Sequence, residues 1–308
     1  MTVMSNKALV EAIERSRKEW YLYTKEGQKK VFDLFKQASN QIVEQISKYT
    51  KAGKIPPTRL RVLVVKIETE LANLRLNYLR YLTAAQKKSI DFGVGSTISS
   101  LNGLVGPNFK INIGSSYISV DGKVKKYDPR VEAYSDSVWA ALNINAMKSL
   151  VLTSYGTIPL SSRVWDITWA AEKAIRSKLH TSILLGQSSY KTANLIKKYL
   201  GVPGKFTGLE LKEYKPGAGV YKSAYKNALR LATTEMNRAF NEGVIKYSME
   251  KPWITGWIWH TASGNPCEDC SDNESVFFPK DDAPYVPLHP WCLCWLEIVT
   301  NSNVMANV

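Results

Sequence analysis

Residues 266–294 read Pro266-Cys267-Glu268-Asp269-Cys270-Ser271-Asp272-Asn273-Glu274-Ser275-Val276-Phe277-Phe278-Pro279-Lys280-Asp281-Asp282-Ala283-Pro284-Tyr285-Val286-Pro287-Leu288-His289-Pro290-Trp291-Cys292-Leu293-Cys294, and they hold all four cysteines of the 308-residue chain. A structural zinc site takes four tetrahedral nitrogen or sulfur ligands, usually as two close pairs on two tight turns, so that little chain has to be ordered for each bond. Cys267 and Cys270 form one such pair. His289, Cys292 and Cys294 offer three candidates for the other, after a gap of 18 residues that can fold back as a small β loop. Five candidates for four places leave one spare.

Other uses of these thiols stay open on spacing alone. A Cys-x-x-Cys pair serves thioredoxin-like redox chemistry when it opens a helix after a strand in a βαβ setting, and no such setting is legible around Cys267. Two disulfides would require an oxidising compartment, and the opening Met1-Thr-Val-Met-Ser-Asn carries no secretory pattern. Unliganded thiols in a small core are the third reading. As a catalytic metal site the cluster lacks its chemistry: Pro266-Cys-Glu-Asp-Cys270 matches half of the zinc-deaminase signature, but His260-Thr-Ala and His180-Thr-Ser lack the Glu of His-x-Glu, and His-Glu-x-x-His is absent. The expectation is a structural zinc staple.

Upstream, the pattern is helical. Leu9 and Ile13, then Val31, Phe35, Ala38, Ile42, Ile46 and Tyr49 recur at helical spacing over residues 6–50, with Gly27 as a point of interruption. Ala52-Gly-Lys-Ile-Pro-Pro57 ends that segment, and Thr58 is a candidate cap for the next. Leu60, Val64, Ile67, Leu71, Leu74, Tyr78 and Tyr81 make one stripe of a second long helix, and after the Gly/Ser/Asn-rich run 92–108 the pattern changes. Period-two alternation around Asp121-Gly122 predicts a β-hairpin over 110–127. Helical spacing resumes over 129–152, 162–185 and 188–200. Residues 201–219 are rich in Gly and Pro, and 222–250 form a strong helix that leads into the strand Trp253-Ile-Thr-Gly-Trp257-Ile-Trp259.

The predicted fold is therefore mainly α. It comprises a long N-terminal helical hairpin arm (1–106), a β-hairpin insertion (107–127), a helical body (128–250), a small C-terminal β module with a Cys/His zinc-type cluster (251–299), and a flexible tail (300–308). The formal net charge of +14 divides unevenly: +10 over residues 1–90, +9 over 91–250 and −5 over 251–308. A basic body can meet DNA through its phosphates, without sequence preference, or an acidic protein surface. The longest uncharged run, 92–109, is too rich in Gly, Ser and Asn for a bilayer span, so no membrane partner is expected.

The order of these parts resembles a known family. A helix with Leu231-Ala-Thr-Thr-Glu235-Met-Asn-Arg238-Ala-Phe-Asn-Glu-Gly243, a Trp-rich strand, Cys267-x-x-Cys270, Phe277-Phe-Pro279 and Pro287-Leu-His289-Pro-x-Cys292-x-Cys294 together resemble the tailed-bacteriophage minor head, or head-morphogenesis, proteins related to the Mu F protein. The segment from Ala174 to Leu200, with its Leu185-Gly-Gln-Ser-Ser-Tyr190 step, is similar as well, so the resemblance covers roughly residues 160–299. Family members typically read Arg-Thr-Glu and His-Pro-x-Cys-Arg-Cys, whereas this chain has Thr233-Thr234-Glu235 and Leu293.

The resemblance implies a low-copy, non-enzymatic component of the procapsid and virion. It would sit at the portal vertex or capsid interior, pass through the host cytoplasm during assembly, and have the portal protein, inner capsid or scaffold as partners and DNA as a further one. A metal-dependent enzyme acting on nucleic acid is the alternative, and it would need a catalytic residue such as His260, Glu268 or Glu274 at the cluster. Glu235 and Arg238 form a polar pair at i, i+3, either tying the helix to the cysteine module or lying as a surface ion pair. Trp253, Trp257 and Trp259 share one strand face and are expected to pack in the core. The aromatics Trp20, Tyr21 and Tyr23 are expected on the outside of the arm, as part of a docking surface.

Overall fold

The computed structural model describes residues 7–105, 109–111, 117–120, 123–126, 160–208, 221, 223–251, 254–262 and 266–301. Its helices are α1 (Lys7–Lys48), α2 (Leu60–Val105), α3 (Leu160–Leu184), α4 (Ser189–Leu200), α5 (Ala224–Met249) and the one-turn α6 (Glu268–Asp272). Its strands are β1 (Phe109–Ile111), β2 (Tyr117–Val120), β3 (Lys123–Lys126), β4 (Ile254–His260), β5 (Phe277–Pro279) and β6 (Trp295–Thr300). The expected helix over 129–152, most of the loop 201–219 and all but the first two residues of the tail lie outside the described residues.

Helices α1 and α2 form the expected hairpin, and the two predicted stripes bury against each other: Val31, Phe35, Ala38, Ile42 and Ile46 on α1, Val64, Ile67, Leu71, Leu74 and Tyr78 on α2. The entry to α2 differs from expectation. Pro57–Arg59 form a 3-10 turn that runs directly into Leu60, so Thr58 lies within this turn and is no helix cap. The hairpin is also no free arm, because both helices pack on α5. The Tyr78 hydroxyl donates to the Ala228 carbonyl at 2.6 Å. Trp20, expected outside, is fully buried with its ring 5.2 Å from that of Phe240, while Tyr21 and Tyr23 are half-buried. An indole in reach of apolar surface 220 residues downstream gains more from burial than from exposure, and helical periodicity cannot reveal such a distant partner.

Helix α2 runs on through the Gly/Ser-rich stretch after Phe92 to Val105, within the arm expected over 1–106. Gly93 lies at the seam where α2 crosses α5, opposite Gly243. A Cβ on Gly243 would lie 2.5 Å from the carbonyl oxygen of Ile90, and one on Gly93 would collide with that of Phe240. Gly27 similarly lets the unbroken α1 pass against the Tyr81 hydroxyl and the Met236 sulfur. Two glycines two residues apart should therefore respond oppositely to alanine. Gly93→Ala is expected to cost about 1–3 kcal/mol through overpacking. Gly95→Ala meets nothing within 4 Å, and should stabilise by about 0.5–1 kcal/mol through helix propensity. Denaturant unfolding of both variants checks this.

The insertion is a three-stranded antiparallel meander, with Val120 opposite Lys123 across the predicted Asp121-Gly122 position and β1 as an added strand. The C-terminal sheet has the order β5-β4-β6, antiparallel throughout. Trp257 and Trp259 on β4 are fully buried, as expected of a core face, and Trp253 lies outside the described residues. No helix among the described residues is long and apolar enough to cross a membrane.

Candidate metal centre

Two turns bring the five predicted ligands together. Cys267 sits at the N-cap of α6 and Cys270 within its single turn, closed by Ser271 N–H donating to the Cys267 carbonyl at 2.9 Å. The short helix at this Cys pair was not legible in the sequence. The second turn is His289 to Cys292, closed by Cys292 N–H to the His289 carbonyl at 3.1 Å. It requires a left-handed backbone at Trp291 (φ 67°), where Gly or Asn is usual. A buried indole and two hydrogen bonds hold it there: Trp291 N–H to Thr234 Oγ1 at 3.0 Å and Nε1–H to the Tyr221 hydroxyl at 3.1 Å.

The ligand atoms converge as two triads that share Cys270. Cys267, Cys270 and His289 lie within 4.8 Å of one another, as do Cys270, Cys292 and Cys294. His289 Nε2 is 3.0 Å from the Cys267 sulfur and 3.1 Å from that of Cys270, and the Cys270 and Cys292 sulfurs are 3.9 Å apart. Sulfurs bound to one tetrahedral zinc at about 2.3 Å stand about 3.8 Å apart, so the last distance already matches an edge of the coordination tetrahedron. All four cysteines are free of disulfides.

Protonation also suits a metal. His289 Nδ1 lies 2.9 Å from the Pro290 carbonyl; donation there leaves the Nε2 lone pair facing the sulfurs, the usual role of a group behind a ligating imidazole. Hydrogen bonds from Cys270, and then from Cys292, pull the Cys294 thiol below its usual value, toward the thiolate form that a metal ligand requires.

The ligand loop is gripped from outside by groups the sequence reading did not single out. On α5, Asn237 Nδ2 donates to the carbonyls of Cys292 and Cys294, both at 3.0 Å, and Asn241 Nδ2 donates to Cys294 at 3.1 Å. With Thr234 they stand at i, i+3 and i+7, one stripe of polar residues on a helix that is buried along most of its length, and that spacing is the signal that could have found them. From α1, Arg17 donates to the Leu293 carbonyl at 3.0 Å, its guanidinium flanked by the rings of Trp20, Trp295 and Phe240. Burial lowers the Arg17 pKa against the opposing pull of Cys294 and then Cys292; a cation beside a thiolate-rich site offsets its negative charge.

Glu235 and Arg238 are both fully buried, 3.9 Å apart. The shorter contacts of Glu235 reach other helices: Arg163 on α3 donates to it at 2.6 Å and Gln86 on α2 at 3.1 Å. Arg238 lies 5.2 Å from the Tyr285 ring of the cysteine module. The pair thus joins α2, α3 and the module through α5.

His260, a candidate for catalysis, is bound into a structural cluster. Its Nε2 meets Glu297 at 2.7 Å, its Nδ1 meets Glu274 at 3.3 Å, and its ring stacks on Trp295. Burial alone would lower its pKa, but the hydrogen bond and charge of Glu297, followed by those of Glu274, raise it above the usual 6.5. Burial would likewise raise Glu274, and hydrogen bonds from Thr261 followed by His260 lower it below 4.5. A raised histidine contributes stability that is complete below about pH 6.5 and is lost as pH climbs through its folded value; a lowered carboxyl contributes above about pH 4.5 and loses it on acidification. The cluster should stabilise β4–β6 most between these limits. His260→Gln should remove the loss on the alkaline side, read as the difference between the pH profiles of wild type and variant in amide exchange of β4 and β6. Glu268, the remaining catalytic candidate, is exposed on α6.

Comparison of the chain with protein-family models, curated proteins and solved structures returns no match.

Proposed function

We propose that this chain is a minor head protein of a tailed bacteriophage, a low-copy, non-enzymatic component of the procapsid and virion that acts at the portal vertex. The observation that carries this reading is that the separate stretches of the resemblance form one physical unit. Thr234, Asn237 and Asn241 from the Leu231–Gly243 helix segment hold the backbone of the His289-Pro-x-Cys-x-Cys294 loop. A chance likeness of scattered motifs has no reason to make its parts touch.

The metal we assign is zinc, as a structural ion. Sulfur-rich sets with one imidazole select zinc in tetrahedral geometry, and five protein donors for four places leave no position open for a substrate, which favours a staple over the metal-dependent nuclease or deaminase alternative. When bound, the ion crosslinks α6 to the His289–Cys294 turn, and α5 presents the pair to the rest of the fold. The basic body supplies a surface for the portal, inner capsid or scaffold, with non-specific DNA contact as a further role.

Co-expression with a tailed-phage portal protein from the same genome tests the reading. The full chain should co-purify with portal assemblies, and a stable, folded chain that never associates with portal, scaffold or capsid would falsify it. Chains truncated before Asp128 are not a suitable probe, since α1 and α2 are part of the common core.

A further inference from the structure

Helix α2 carries two apolar stripes. The one described above is buried against α1 and α5. The other, Val62, Val65, Thr69, Ala72 and Leu76, steps by three and four along the opposite side and is exposed at every position. Its three large members, Val62, Val65 and Leu76, are 48%, 53% and 47% open. Half-buried Leu79 and exposed Thr83 continue it, so these steps pass over about 31 Å of helix without a charged residue. The solvated face of a helix is ordinarily its charged one, and uncharged positions at 3-4 spacing are what a second helix packs on.

Helix α3 supplies a second wall. It lies antiparallel to α2 along two ion pairs, Arg75 with Glu172 at 2.8 Å and Arg176 with Glu68 at 3.3 Å. Arg75 is also 3.8 Å from the centre of the Trp165 ring. Its neighbours at i−3 and i+4 on α2 are Ala72 and Leu79, so Trp165 adjoins the stripe. Trp169 follows one turn along α3, and the two rings are 48% and 47% exposed. Tryptophan and arginine carry much of the energy of protein interfaces when they are already ordered, and here Arg75 is held on one side by a carboxylate and on the other by a ring.

The borders of this furrow decide the occupant. Glu68 and Glu172 are engaged by Arg176 and Arg75. The remaining charges beside the stripe, among the described residues, are exposed Arg61, Lys66 and Arg80 on α2 and Lys173 on α3, against exposed Asp166. A second copy of the same face would set these cations against one another, which like-charge repulsion opposes. A phosphate backbone would use the cations and leave the aliphatic stripe in water.

We infer that the furrow between α2 and α3 docks one amphipathic helix of a partner protein, with aliphatic residues at heptad spacing and acids on either side of them. This is the helix-in-groove mode, read from both the stripe and its borders. It deepens the portal reading by giving the surface and the chemistry of the partner, and rests on that reading for the partner's identity alone. The docking surface lies on the hairpin after all, along the outside of α2 rather than at Trp20, Tyr21 and Tyr23.

The test uses the full-length, metal-loaded protein and three labelled three-heptad peptides followed by fluorescence anisotropy. The first has Leu at a and d and Glu at e and g, the second replaces Glu by Lys, and the third replaces Leu by Ser; single-stranded DNA of mixed sequence is the fourth probe. The Glu/Leu peptide should bind at least about tenfold more tightly than the other three, and Leu76→Glu, at an exposed helical position, should weaken it about tenfold. The double variant Lys66→Glu, Arg80→Glu keeps the stripe intact and should weaken binding several-fold while reducing its salt dependence. The inference is overturned by absence of Glu/Leu binding, by equal binding of the Lys/Leu peptide or DNA, by indifference to both variants, or by a dimer of the chain that Leu76→Glu dissolves. Failure of the wild-type chain to co-purify with portal, with peptide binding intact, would remove the portal reading and leave the docking furrow standing.

Discussion

Chelation of the freshly purified, reduced protein is expected to release about one equivalent of zinc and to loosen residues 251–299 while the α1–α2–α5 core stays folded. The segment that should lose amide protection first is 266–276, because its turn buries only Cys270, whereas the buried Trp291 and the amides of Asn237 and Asn241 also hold the His289–Cys294 turn. Strands β4 and β6 should resist longer, since Trp257, Trp259, Leu296 and Ile298 are buried whatever the ligands do. Zinc binding to small structural sites contributes on the order of 10 kcal/mol, so no single side chain in the protein should matter as much. Cys270 belongs to both triads; Cys270→Ser should abolish stoichiometric zinc, whereas His289→Ala and Cys294→Ser should separate, the one that keeps zinc identifying the spare donor. Elemental analysis without metal in the wild-type protein would sink the assignment.

Glu235→Ala should destabilise the helical core by about 3–5 kcal/mol, the usual cost of removing one partner from a buried ion pair. The carboxylate is fully buried and is reached by Arg163, Gln86 and, at longer range, Arg238. Its removal leaves two guanidiniums facing each other in the interior without the intervening negative charge. Because the network joins α2, α3 and α5, the loss should appear as lower cooperativity of the whole helical body, with zinc content unchanged. Glu235→Gln keeps a carbonyl for Arg163 and should fall between wild type and alanine. Equal stability of Glu235→Ala and wild type in urea titration would mean that water reaches this site.

Periodicity showed the hairpin because its stripes are local: Val64, Ile67, Leu71 and Tyr78 on one face imply a partner helix whatever its identity. The metal ligands were legible for a similar reason, as close pairs in one short stretch. What lay beyond reading depended on contacts between distant segments. Gly93 reads as one more small residue in a Gly/Ser-rich stretch, and only the approach of α5 shows why a side chain there would not fit. Trp20 looks like a surface aromatic until Phe240 and Arg17 cover it. Glu235 was visible as half of a pair with Arg238, but its closest partner, Arg163, is on another helix. Asn237 and Asn241 were in plain view within the motif that carries the resemblance; amides that bond to backbone carbonyls leave no charge pattern to betray them.

The hydrogen bond from Arg17 to the Leu293 carbonyl joins positions 276 apart in the chain. On the ribosome, at bacterial and eukaryotic elongation rates, Arg17 waits between about a quarter of a minute and a minute for its acceptor to be made. During that interval the nascent chain holds a cationic group and the Trp20 indole with no ligand loop to cover them, and the metal ligands have not yet been synthesised. Anchoring of the first helix and capture of the ion must therefore finish together, after release of the last segment. Any event that stops translation within the final turns yields a chain whose long helices are present and whose first and last parts cannot close on each other.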